Sequence, residues 1–188
     1  MKTIFLLILL NSTTVFAQNL IQNGNFKLGT NEWQPLIASS RVTIEKQAIE
    51  HSNYGDLYGL PDNYIETSFV ELDQQSSLEQ TIKTTQTNYT LTFAYSHRPN
   101  AGDKKLIVVA DNQVIYQKTI KNNKEEGSFI YQKAHFNATN SHTTLEFYIE
   151  SIEGAADKGV LITDIFCEER VKLDEILEAR RQQRYKVK

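Results

Sequence analysis

Tyr89-Thr90-Leu91-Thr92-Phe93-Ala94-Tyr95-Ser96 places an aromatic residue or leucine at every second position and a small or polar residue between them. Side chains of an extended strand point to alternate faces, so this period of two predicts a strand with one face in a core and the other turned outward. Leu145, Phe147 and Ile149 repeat the pattern against Thr144, Glu146, Tyr148 and Glu150. Residues 106–110 and 114–117 flank Asp111-Asn112, a pair that tolerates positive φ and suits a tight hairpin. Residues 41–46, 64–72, 77–83, 128–136 and 160–166 read as further strands. Short apolar runs separated by polar turns, without alternating helices, predict an all-β antiparallel sandwich.

The composition agrees. The 188-residue chain is 40% hydrophobic and 10% aromatic with only 8 Gly and 3 Pro, which excludes collagen-like and disordered classes. One cysteine, Cys167, excludes an intramolecular disulfide and a cysteine-built zinc site, and the 4 histidines are scattered. Cys167 reads as a small buried residue at a strand end.

Residues 1–17 combine Lys2, an apolar run over 4–10, a polar patch over 11–14 and Val15-Phe16-Ala17, the layout of a cleaved export signal. The expectation is a mature chain starting at Gln18 that is secreted or periplasmic, or held at the outer membrane or cell surface. The apolar run falls well short of the roughly 20 residues that cross a bilayer, so the product is expected not to span a membrane.

Residues 18–167 hold 12 basic and 18 acidic side chains, whereas residues 168–188 hold 7 basic and 5 acidic. An acidic body lacks the clustered Lys and Arg that displace counterions from a polyanion, so nucleic acid is not an expected ligand. The tail lacks Gly and Pro and spaces Leu173, Ile176 and Leu177 at helical intervals, which predicts a short C-terminal α-helix over residues 169–188. A helix with so small an apolar stripe is marginal alone, so the sandwich, a second copy or an envelope protein partner would have to cover it. The expected division is therefore a signal peptide at 1–17, a sandwich at 18–168 and a charged tail at 169–188.

Three blocks carry a family likeness: Asn19-Leu20-Ile21-Gln22-Asn23-Gly24-Asn25-Phe26 ending at Trp33; Val70-Glu71-Leu72-Asp73 with Leu78-Glu79-Gln80, the strand at Tyr89 and Arg98-Pro99-Asn100; and Val160-Leu161-Ile162-Thr163-Asp164-Ile165. Together they resemble galactose-binding-like β-sandwich domains, in particular those of bacterial choice-of-anchor surface proteins and of plant cell-wall proteins of undefined function. The resemblance implies a two-sheet jelly roll, usually non-catalytic, that binds carbohydrate through loops at one end or through a sheet face. It also implies that Trp33 packs inside. Such relatives commonly hold a structural calcium with acids where this chain has Lys27 and Thr163, leaving Asp164 and carbonyls near Asn23 as a weak set of ligands for an ion that wants six to eight oxygens.

No Gly-x-Ser-x-Gly elbow occurs, Cys167 has no histidine near it in sequence, and Glu66 and Glu71 fall on opposite faces of any strand that holds both. The chain is therefore read as no enzyme. Sugar binding needs an aromatic plane for the apolar face of a pyranose and polar groups for its hydroxyls. Tyr54, Tyr58, Asp62, Asn63 and Tyr64 combine both on a stretch rich in turn residues, and loops on a rigid scaffold are where binding residues sit. The alternative is that these aromatics fold back to plug one end of the sandwich. His97 and Arg98 form a second candidate pair, in which Arg98 grips either a ligand or a structural carboxylate. The expected function is binding of a polysaccharide or other glycan, and the rival reading is a structural subunit of a bacterial envelope or secretion assembly. The sequons Asn88-Tyr-Thr90 and Asn137-Ala-Thr139 carry meaning only in a glycosylating host.

Overall fold

The computed structural model describes residues 18–37, 50–64, 66–73, 76–154 and 158–170. Ten antiparallel strands form two five-stranded sheets. In chain order they are β1 (Gln34–Ile37), β2 (Glu50–Ser52), β3 (Phe69–Leu72), β4 (Ser76–Lys83), β5 (Asn88–His97), β6 (Lys104–Ala110), β7 (Gln113–Ile120), β8 (Ile130–Asn137), β9 (His142–Ser151) and β10 (Val160–Glu169). The first sheet has the order β1-β4-β9-β6-β7 and the second β2-β3-β10-β5-β8. Every pairing is antiparallel, as the alternating patterns of β5 and β9 require.

The core lies between the sheets, and the alternation in β5 fills it. Tyr89, Leu91, Phe93 and Tyr95 point inward and join Leu78, Leu106, Val108, Phe136, Leu145, Phe147 and Ile162 in one cluster. Trp33 belongs to it, with ring centroids 5.6 Å from Phe26 and 6.2 Å from Phe147, and its indole N–H donates to the Asn23 carbonyl at 3.1 Å. Cys167 is fully buried there, and burial pushes its thiol up to about 12, so it stays protonated. The β6–β7 turn holds Asp111 at φ 52°, as its Asp-Asn sequence predicts.

Three boundaries differ from the sequence reading. The strand expected over 64–72 begins only at Phe69, because Asp62–Tyr64 forms a short 3-10 turn. The last strand runs through Glu169, and Arg170 N–H donates to the Asn88 carbonyl, so the sandwich extends past residue 168. Among the described residues there is no α-helix. The remainder of the expected C-terminal helix, the strand expected over 41–46 and the export signal over 1–17 lie outside the described residues.

A strap precedes β1. Residues 19–33 cross the end of the sandwich, tied on by Leu20 N–H to the Cys167 carbonyl at 2.8 Å and by Ile165 N–H to the Gly24 carbonyl at 2.9 Å. Asn23 organises the strap from within: its side-chain amide donates to the carbonyls of Gly29 and Asn31 and accepts from Leu28 N–H. Gly24 rests on β10 so closely that a Cβ there would lie 2.0 Å from the Ile165 carbonyl oxygen. The Asn-Gly pair in the first quoted block is thus needed for geometry, since Asn tolerates the φ of 50° seen at Asn23 and Gly removes the clash.

Candidate functional site

The outer face of the second sheet is where the predicted candidates meet. Phe69 and Leu161 point away from the main core, yet both are fully buried, because the stretch from Tyr54 to Tyr64 folds over them. Tyr58 packs edge-on against Phe69 at 5.1 Å, and Tyr64 packs against Phe129 at 5.2 Å. Leu60 completes this second, smaller core. The loop therefore plugs the sheet face with its middle aromatics, while Tyr54, Asp62 and Asn63 stay exposed.

Arg98 belongs to the same arrangement. Its guanidinium lies 4.7 Å from the Tyr58 ring centroid and donates at 2.8 Å to Glu71, whose other carboxylate oxygen accepts from Gly159 N–H at 2.7 Å. The Glu71 side chain is only 2% exposed and that of Arg98 23%. This is the salt-bridge alternative for Arg98. His97 Nε2–H donates to the Glu125 carbonyl at 3.2 Å, which pins the neighbouring loop. Glu66 is exposed and Glu71 buried, so the two do not form a pair across a cleft.

Beside the plug lies a surface that the sequence reading missed. Tyr131 on β8 is 66% exposed, and its hydroxyl donates to Asp164 Oδ2 on β10 at 2.6 Å. Strand β5 runs between those two strands. Tyr131 is in register with Ala94, and Ala94 with Thr163, so the tyrosine side chain must cross β5 above Ala94 to reach its partner. Ala94 is fully buried, and its methyl leaves space for a ring lying across the strand. The hydrogen bond to the Asp164 carboxylate, with burial second, pushes the Tyr131 hydroxyl up to about 12, so it remains a donor.

Asp164 is available because β10 is irregular there. The register slips between Thr163 and Phe166, and Asp164 has φ 50°, a left-handed conformation that aspartate tolerates better than most residues with a side chain. The strap is fastened at this bulge: the Gly24 carbonyl accepts from Ile165 N–H, and Gly24 packs against the Ile165 carbonyl. Strained non-glycine residues at bulges often mark functional positions, where the bulge re-aims a side chain. Below Tyr131, Lys133 and His135 continue along β8, the half-exposed Phe166 and Glu168 along β10, and Thr92 and Thr90 form a low floor between them. From Ala94 to Thr90 this trough spans about 14 Å at strand rise.

The residues do not fit the structural calcium that the resemblance implies. Asp164 is the one carboxylate near Asn23, and it already accepts the Tyr131 hydroxyl. The Asn23 carbonyl accepts both Trp33 Nε1–H and Phe26 N–H. No group of three His, Cys, Asp or Glu side chains gathers among the described residues, and no helix there is long and apolar enough to cross a membrane.

Comparison with solved structures matches the same architecture. TmCBM61, solved in complex with β-1,4-galactotriose, superposes with a TM-score of 0.53 at 14% identity, covering 82% of this chain and 100% of that one. A Stig cyclase from Fischerella sp. TAU, solved with a pyrrolidinylidene indole, gives 0.53 at 16% identity over 82% and 98%. The CBM22-1-GH10 modules of Clostridium thermocellum xylanase 10B, complexed with xylohexaose, give 0.54 at 11% identity over 84% of this chain and 29% of that one. These likenesses show the two-sheet antiparallel sandwich fold. No curated protein sequence matches significantly. Residues 19–166, from the strap through the bulge, match a family described as "Protein of unknown function (DUF642)", which is associated with plant cell walls, and the chain belongs to that family.

Proposed function

We propose that this chain is a non-catalytic carbohydrate-binding module, exported by removal of residues 1–17, that takes a cell-wall or surface glycan on the outer face of its second sheet. The observation that carries the reading is the Tyr131–Asp164 bridge. It holds an aromatic ring across a small residue with most of its surface open, beside a carboxylate whose second oxygen makes no hydrogen bond among the described residues. An open ring receives the C–H face of a pyranose, and a fixed carboxylate accepts its hydroxyls. Holding the ring before the ligand arrives lowers the entropy cost of binding. The exposed Tyr54, Asp62 and Asn63, with Tyr64 at the border, supply a rim, while Tyr58, His97 and Arg98 support it from beneath. The complexes of TmCBM61 and xylanase 10B modules with oligosaccharides support the choice of ligand class. The basic tail is left for an envelope protein partner.

A glycan array followed by calorimetry tests this. Tyr131→Ala is expected to weaken binding of the array's best glycan about tenfold or more, as for an aromatic anchor, with the unfolding midpoint unchanged. Tyr131→Phe keeps the ring and loses the tether, so its affinity falls between the two. Retained affinity in Tyr131→Ala, or no glycan bound by the unaltered protein, refutes the proposal.

A further inference from the structure

Asp164 and Phe166 border the Tyr131 platform on one side and a separate groove on the other. That groove has a volume of about 330 Å³, and its far wall is the strap at Asn19, Asn23, Gly24 and Asn25. Most polar atoms of that wall are committed. The Asn23 amide is bonded within the strap, and Asn19 Oδ1 accepts from Ile21 N–H and Cys167 N–H. Asn19 and Asn25 are both exposed, each with an amide nitrogen that makes no hydrogen bond among the described residues, and Asn25 Oδ1 accepts only a long bond of 3.3 Å from Lys27 N–H. Across the groove stand Asp164, with one carboxylate oxygen that makes no hydrogen bond among the described residues, and the partly buried Phe166. One donor, one acceptor and an apolar face are the requirements of a single sugar ring. No Lys or Arg lines the groove, so it offers no counter-charge to a uronate or sulfate.

We infer that this groove is a second sugar subsite, and that the saccharide is a neutral oligomer running from Tyr131 past Asp164 to Asn25, with Asn25 and Phe166 setting the preference for chain length. The inference rests on the carbohydrate-binding reading above and adds the direction, charge and minimum length of the ligand. Asp164 is then shared, one oxygen tethering the platform and the other facing the groove. The position of the strap supports this role, because Gly24 and Ile165, which touch each other at the bulge, both line the groove.

The experiment titrates neutral β-1,4-galacto-oligosaccharides and β-1,4-xylo-oligosaccharides, from monosaccharide to hexasaccharide, into the mature protein by calorimetry. For at least one series the unaltered protein is expected to gain affinity on passing from the shortest to longer members. Asn25→Ala should remove about fivefold of that gain, the worth of one hydrogen bond, and leave the shortest binding member unchanged. Tyr131→Ala should weaken every member. Phe166→Ala serves as the second groove variant and is expected to act like Asn25→Ala. Affinity independent of length, or equal losses for short and long members in both groove variants, overturns the subsite while leaving the platform standing. If neither series binds the unaltered protein, the subsite falls together with its neutral ligand, and the array result alone then decides the platform. Tighter binding of oligogalacturonate than of the neutral galactan series overturns the assignment of charge.

Discussion

Replacing Arg98 with alanine separates a supporting role from a ligand contact. The change removes a 2.8 Å ion pair with Glu71, a carboxylate that is nearly sealed from solvent, and the stacking of the guanidinium on Tyr58. Breaking a fully buried pair from one side costs about 3–5 kcal/mol, because the remaining charge loses its partner. Arg98 is 23% exposed, which admits water to the vacated position, and Glu71 keeps the bond from Gly159 N–H. Both lower the figure, while the lost cation–π contact restores about 0.5–1 kcal/mol, and the net cost is about 2–4 kcal/mol. For a domain of this size each kcal/mol lowers the midpoint by roughly 2–4 °C, so differential scanning calorimetry should show a fall of about 4–16 °C. Arg98→Lys keeps the charge without the planar fork and should recover less than half of it. Glycan affinity measured well below the midpoint should stay within about twofold, since an intact rim is all that the site asks of Arg98. An unchanged midpoint together with lost binding would refute the reasoning and return Arg98 to the ligand.

Gly24→Ala should destabilise the domain by about 3 kcal/mol or more, because its Cβ meets the Ile165 carbonyl at 2.0 Å. Gly29→Ala, in open space but at φ 65°, should cost only about 1 kcal/mol of backbone strain, and chemical denaturation of the two variants compares them directly. Glu79 faces Glu146 in register across β4 and β9, and burial first and that carboxylate second raise its pKa above the ordinary 4.5. Between the raised value and 4.5 the native state binds more protons than the unfolded one, so this residue makes stability rise as pH falls through that window. Glu79→Gln should remove that component and raise the midpoint near pH 7, which a pH series of thermal melts would read. Intact mass of the protein secreted by its own host should correspond to a chain beginning at Gln18, and retention of residues 1–17 would remove the export step.

The strands were legible because burial on one face writes a period of two into the sequence, as in β9 and the core-facing positions of β5, while the β6–β7 hairpin was legible from its Asp111-Asn112 turn. Residues 64–68 misled that reading. Tyr64 and Phe69 are five apart and would fall on opposite faces of one continuous strand, but the turn at Asp62–Tyr64 lets both rings meet Phe129 on a second core outside the sandwich. Apolar content alone does not say which of two cores a ring enters. The loop from Tyr54 to Tyr64 was read as a binding loop on its mixture of aromatic and polar residues, yet Tyr58 and Tyr64 are consumed by packing against Phe69, Phe129 and Arg98.

Tyr131 was invisible for a related reason. In sequence it sits in Ser-Phe-Ile-Tyr-Gln-Lys as one more strand aromatic, and nothing local distinguishes it from Tyr89 or Tyr95, which are buried. What sets it apart is a residue two strands away. Asp164 sits where β10 carries an extra residue, at the point where the strap packs Gly24 on Ile165. The signal was present as Asn23-Gly24 and Thr163-Asp164, two blocks that resemble those of relatives in which acids hold calcium. With Lys27 and Thr163 in place of acids, Asp164 turns its carboxylate to a tyrosine hydroxyl instead. The bulge thus aims a carboxylate two strands across at an exposed aromatic ring, a pairing written in no single stretch of the sequence.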